Sequence, residues 1–148
     1  MTKKYRFRLD AVLRVRRIQE ELARQDLALA NREQAQARQR LERRAALHAG
    51  RPSGPSEETS DAFLARRSAA AVSAAAVSAA RANWQMAVDA AAIRREGWAG
   101  AKSRLRSLER LDERHRELHD LDAARDEQRE LDDLSSGRAA VQDEEGAG

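Results

Sequence analysis

FLARRSAAAVSAAAVSAARANWQMAVDAAAIRREGWAGAKSRL, residues 63–105, decides the fold. Phe63, Ala70, Val77, Trp84, Ala91, Trp98 and Leu105 stand at strict seven-residue intervals, and both tryptophans of the chain lie on that line. A seven-residue apolar repeat keeps one seam of a helix against a partner helix. Trp is costly to leave in water and gains most when its ring packs on a neighbour. The stretch therefore predicts a long helix that needs a partner.

Working outward to its N-terminal side, GRPSGPSEETS (50–60) holds both prolines and is the one strong breaker cluster. It reads as a hinge, with Ser56 or, better, Ser60-Asp61 capping the helix that follows. Before it, steps of three and four residues mark another helix. Its apolar positions begin at Leu9, Val12 and Leu13 and lead into Val15, Ile18, Leu22 and Leu29; the stripe then drifts to Leu27, Ala30, Ala37 and Leu41. Asp10 suits an N-cap or a first-turn acid, and Gly50 with Pro52 beyond it suits a helix stop. At 1.5 Å per residue this helix is roughly 60–70 Å long.

On the C-terminal side, Gly97 and Gly100 flank Trp98, and each weakens a helix by roughly 1 kcal/mol. Leu108, Leu111, Leu118, Leu121, Leu131 and Leu134 follow among dense charge, with opposite signs at helical spacing. The seven-residue frame offers Asp112 after Leu105, so the seam is expected to slip there. Ser135 to Gly137 are expected to end the helix.

The expected fold is all-α, an antiparallel two-helix coiled coil in which the second helix is the longer. As one domain over 1–148 it has helix one at about 6–49, a hinge at 50–60, helix two at about 61–135 and a disordered tail at 136–148. Val15, Ile18, Leu22, Leu29, Trp84, Trp98 and Leu105 are the expected hairpin packing residues. Folding about Ser53–Gly54 places Val15 opposite residue 92 or so and Tyr5–Phe7 opposite 100–103. Residues from about 110 to 134 would then lack a partner within the chain, and a leucine-bearing helix without cover suits binding to another protein.

Composition narrows the function. Charged residues make up 36% and aromatics 3%, enough for a seam and too little for a broad core. There is no cysteine, which removes thiolate metal sites and cysteine nucleophiles. No apolar run spans a membrane and no signal peptide opens the chain, so a cytoplasmic protein is expected. Phosphate-binding glycine loops and nucleophile elbows are absent from the sequence. His115 and His119 stand four apart, a spacing a metal ion can use, but their charged surroundings read as solvated histidines. A two-helix hairpin offers little concave surface for catalysis, so no enzyme, cofactor or metal is expected.

Charge is divided. Residues 1–50 carry thirteen Lys/Arg against six Asp/Glu, whereas 109–145 carry fourteen Asp/Glu against six Arg. The basic start admits a nucleic-acid-associated coiled coil as an alternative, and self-pairing of the Phe63–Leu105 seam admits a homodimeric spacer. The acidic end partly neutralises the basic one in a hairpin, so a protein surface rich in carboxylates, and not nucleic acid, is the expected partner of Lys3, Lys4, Arg6, Arg8, Arg14, Arg16 and Arg17.

The two ends also carry a family pattern. KYRFRLDAVLRVRRIQEELARQDLALA (4–30), with Phe7, Leu9, Leu13, Arg16 and Arg17, resembles the start of the flagellar export protein FliJ family. WAGAKSRLRSLERLDERHRELHDLDAARDEQRELDDL (98–134) resembles that family's C-terminal half, through Lys102, Leu108-Glu109, Leu111, Glu113-Arg114 and the acidic run ending at Asp133. The resemblance implies a non-catalytic, cytoplasmic component of the flagellar type III export apparatus, peripheral to the inner membrane and a monomer in isolation. It implies an antiparallel coiled coil similar to the central stalk of rotary ATP synthases. Its implied partners are the export ATPase hexamer, the export-gate membrane protein and substrate chaperones. Arg14, Arg16, Arg17, Arg110 and Arg114, with Leu118 and Leu121 as apolar anchors, are the expected ATPase contacts.

Overall fold

The computed structural model describes residues 3–55 and 57–147; Ser56, one of the two expected caps, lies outside them. Two helices, α1 (Asp10–Ala49) and α2 (Ser60–Gly146), form an antiparallel hairpin with no strand among the described residues. Ala, Leu, Arg, Gln and Glu, the strongest helix formers, dominate both.

The boundaries are set by local chemistry. The Leu9 carbonyl accepts from the Leu13 amide at 2.9 Å, and the Asp10 carboxylate sits in the first turn, where Arg14 donates to it at 2.8 Å. Asp10 is thus a first-turn acid. The Gly50 amide reaches the Ala46 carbonyl at 2.9 Å and the Arg51 amide reaches His48 at 3.3 Å. No described glycine has a positive φ, so the helix stops in a right-handed turn and Pro52, without an amide hydrogen, cannot extend it. α2 begins at Ser60, and its cap is one residue earlier than the expected Ser60. Thr59 Oγ1 accepts from the Ala62 amide at 3.2 Å, and the Thr59 carbonyl accepts from Phe63 at 2.9 Å. Arg66 pins the connection, pairing with Glu58 at 2.7 Å and donating to the Gly54 carbonyl at 3.2 Å.

α2 runs unbroken through Gly97 and Gly100 and on to Gly146. The expected stop at Ser135–Gly137 and the disordered tail from 136 are therefore corrected. No proline follows to break the ladder, the Ser135 hydroxyl bonds back to the Asp132 carbonyl at 3.0 Å, and the helix formers resume at Arg138.

Two compact units are distinguishable: 18–102, and 1–17 with 103–148. In the first, the inward residues of α1 are Glu20, Ala23, Leu27, Ala30, Gln34, Ala37, Leu41, Ala45 and His48. They face Arg66, Ala70, Ser73, Val77, Ala80, Trp84, Ala87, Ala91, Trp98 and Ala101 of α2. The 3–4 spacing is that of a coiled-coil seam. Its most buried apolar members are small: Ala30, Ala37, Ala91 and Ala101 are each under 9% exposed. Small side chains let two backbones approach closely and leave room for the indoles between them.

One charge is built into this seam. Glu20 is 6% exposed, accepts from Trp98 Nε1 at 2.9 Å, and is held by Arg24 at 2.7 and 2.9 Å. Lys102 lies over the Trp98 ring at 4.8 Å. At the opposite end His48 Nδ1 and Ser73 Oγ stand 3.2 Å apart.

Four expected packing residues are corrected. Val15, Ile18, Leu22 and Leu29 are 51–60% exposed and lie off the seam. The sequence reading followed apolar bulk, whereas the 3–4 frame runs through Leu13, Arg16, Glu20, Ala23 and Leu27. Trp84, Trp98 and Leu105 are half-buried on the seam side of α2. Phe63, the first member of the seven-residue line, is 45% exposed, with Arg66 5.7 Å above its ring.

Candidate protein-interaction site

In the second unit the frame does not slip after Leu105. It continues through Asp112 and His119, both half-buried. A carboxylate is tolerable there because the N-terminal stretch supplies a donor. Tyr5 Oη donates to Asp112 Oδ1 at 2.6 Å, and Arg116 reaches Asp112 Oδ2 at 3.3 Å. The same Arg116 lies 5.3 Å over the Tyr5 ring. Desolvation and then the bond to Asp112 push the Tyr5 phenol up to about 12.

The two histidines are engaged by aromatic rings. His119 meets Tyr5 edge-on at 5.5 Å and His115 meets Phe7 at 5.8 Å. Phe7 is 6% exposed and Leu13 is 2% exposed, which makes them the apolar anchors of this unit. The expected register is accordingly corrected: Tyr5 and Phe7 meet residues 112–119 instead of 100–103. The shift is set at the connection: His48 already stands opposite Ser73 and Glu20 opposite Trp98, because α2 begins at Ser60, past the presumed centre at Ser53–Gly54. The overhang expected from 110 onward is thus partly covered.

The expected contact residues divide into two groups. Arg14 is paired with Asp10, Arg17 stands 4.0 Å from Glu109, and Arg16 is half-buried on the seam. Those three do not form one free face. Arg110, Arg114, Leu118 and Leu121 do: their steps of four, four and three residues put them on one side of α2, away from Leu105, Asp112 and His119. Leu118 and Leu121 are 54% and 55% exposed, and neither arginine has a carboxylate partner among the described residues.

Part of the basic start forms a second feature. Lys4, Arg6, Arg14 and Arg116 line a shallow hollow with Tyr5, Phe7, Asp10 and Asp112. Four cations around two carboxylates make a surface suited to acidic groups of another protein. The run Lys4-Tyr5-Arg6-Phe7 before the helix brings two cations and two aromatic rings to it.

No helix is long and apolar enough to cross a membrane, and no group of three or more His, Asp or Glu residues able to hold a metal ion occurs among the described residues. Basic and apolar side chains are left exposed along the helices. No curated protein and no solved structure matches the chain. The family model of the flagellar FliJ protein matches residues 5–144, a span that takes in Tyr5 and Phe7, α1, nearly all of α2 and the Arg110–Leu121 face. The chain belongs to the flagellar FliJ family, a component of the type III export apparatus that moves flagellar proteins.

Proposed function

We propose that this protein is a non-catalytic, stalk-like component that binds the hexameric export ATPase, contacts the export gate and engages substrate chaperones. What supports the ATPase reading is the family match together with the uncovered face of Arg110, Arg114, Leu118 and Leu121. Two guanidiniums without partners beside two exposed leucines suit a protein surface that is apolar at its centre and acidic at its edge. Contact with the gate would hold the protein at the inner face of the membrane without insertion. The hairpin acts as one domain and is monomeric when dilute.

The experiment is a pull-down of the flagellar export ATPase by the full chain. Arg110→Glu with Arg114→Glu, and separately Leu118→Ala with Leu121→Ala, are expected to weaken capture about tenfold or more. All four residues are exposed, so circular dichroism should show helicity unchanged. Capture by both double variants at the wild-type level overturns the assignment. Arg16 is a poor probe, because charge reversal at a half-buried seam position disturbs packing as well as contact.

A further inference from the structure

Two uncovered surfaces elsewhere in the chain complement each other. The first is a groove between the helices in the unit 18–102. Ala37, Ala76, Ala79 and Ala80 are among its lining residues, and Arg40, Arg43, Arg44 and Leu47 stand along it on the α1 side. Leu47 is 68% exposed. None of the three arginines has an ion-pair partner among the described residues; the nearby Glu42 is taken by Arg38 at 2.9 Å. Three like charges on one face repel one another and favour an acidic occupant.

The second surface is the far end of α2. Leu131, Leu134 and Val141 lie on one stripe, which Arg138 interrupts between Leu134 and Val141, and the three apolar side chains are 57–65% exposed. Glu127, Glu130 and Asp133 border the stripe and have no cation partner among the described residues. An amphipathic helix carrying an apolar stripe and unpaired carboxylates is what a small-floored groove bordered by guanidiniums accepts. The lengths agree as well: 37–47 and 131–141 each extend about 15 Å.

We infer that the groove of one molecule binds the Leu131–Val141 stripe of a second copy of this chain. The carboxylates meet Arg40, Arg43 and Arg44, the leucines enter beside Leu47, and the alanine floor lets the third helix approach closely. The contact is head-to-tail, since groove and stripe are different surfaces. It involves none of the residues assigned to the ATPase. At this size it is a weak contact, strengthened by charge and screened by salt.

Sedimentation velocity of the full chain tests it, with three preparations at about 100 μM and low ionic strength. The wild type is expected to associate as concentration rises and to dissociate as salt is added. A groove variant (Arg40→Glu, Arg43→Glu, Arg44→Glu) and a stripe variant (Leu131→Asp, Leu134→Asp) should each be monomeric. Their equimolar mixture retains one intact groove and one intact stripe, and should form a dimer and nothing larger. All five positions are exposed, and circular dichroism checks that each variant is folded. A wild type that stays monomeric, a single-surface variant that associates like wild type, or a mixture that stays monomeric overturns the inference.

Discussion

The indole Nε1–H of Trp98 donates to Glu20 Oε1 across the hairpin at 2.9 Å, and that carboxylate is 6% exposed in a seam otherwise made largely of alanine. A buried polar pair in a coiled coil fixes register at a cost in stability, because sliding the helices strands both partners. The bond to Trp98, then the one to Arg24, holds the Glu20 carboxyl below the usual glutamate range. Its folded value lies below its unfolded one. The stabilisation is therefore complete above the ordinary glutamate range and is lost as pH falls through the folded value. Thermal melts on the acid side should show this loss in the wild type, and Glu20→Gln should flatten it. Equal acid dependence in both proteins would remove Glu20 from the account.

Tyr5 is the only tyrosine in the chain, so its phenolate absorbance reports one group. Its titration should be centred near 12 instead of 10.0. Here the sense is opposite to that of Glu20. Folding favours the protonated phenol, so the contribution is full below pH 10 and lost as pH rises through the folded value. Asp112→Asn should bring the midpoint down toward the ordinary value, and a midpoint unmoved by that change would count against the Tyr5–Asp112 bond.

Leu13 and Ile18 offer the clearest contrast between the seam and its flank. Leu13 is 2% exposed and Ile18 is 60% exposed. Leu13→Ala should cost about 2–5 kcal/mol in urea unfolding, whereas Ile18→Ala and Leu22→Ala should stay within about 0.5 kcal/mol of wild type. Comparable losses at all three positions would restore the apolar stripe in place of the 3–4 frame.

Gly97 lies inside α2, and a Cβ built there meets nothing within 4 Å. Gly97→Ala should thus stabilise the hairpin by up to about 1 kcal/mol, by removing backbone freedom from the unfolded chain. A rise in the midpoint of chemical unfolding checks it; a fall would mean that the glycine serves a close approach.

Much of this hairpin was legible because its signals are local. Gly50 and Pro52 mark one helix end, and the Ala70–Leu105 line carries its period in plain sight. What escaped reading depends on pairing. Glu20 and Asp112 look like solvated charges until Trp98 and Tyr5 stand opposite them. Val15 and Ile18 look like core because bulk draws the eye more than spacing does. Thr59 lost to Ser60 as the cap because both residue types fit, and the hydroxyl geometry alone decides. The Arg110–Leu121 face was named residue by residue through resemblance, but its separation from Arg14, Arg16 and Arg17 depends on where the ion pairs fall.

The stretch from Lys3 to Phe7 is not helical, yet it carries Tyr5 and Phe7 onto α2. Its attachment rests on side chains and breaks no helical ladder when it lets go. Amide exchange here should thus be set by a small local opening, much faster than for amides of the alanine seam. Tyr5 and Phe7 are thus expected to lift off α2 while the bond from Trp98 to Glu20 stays made.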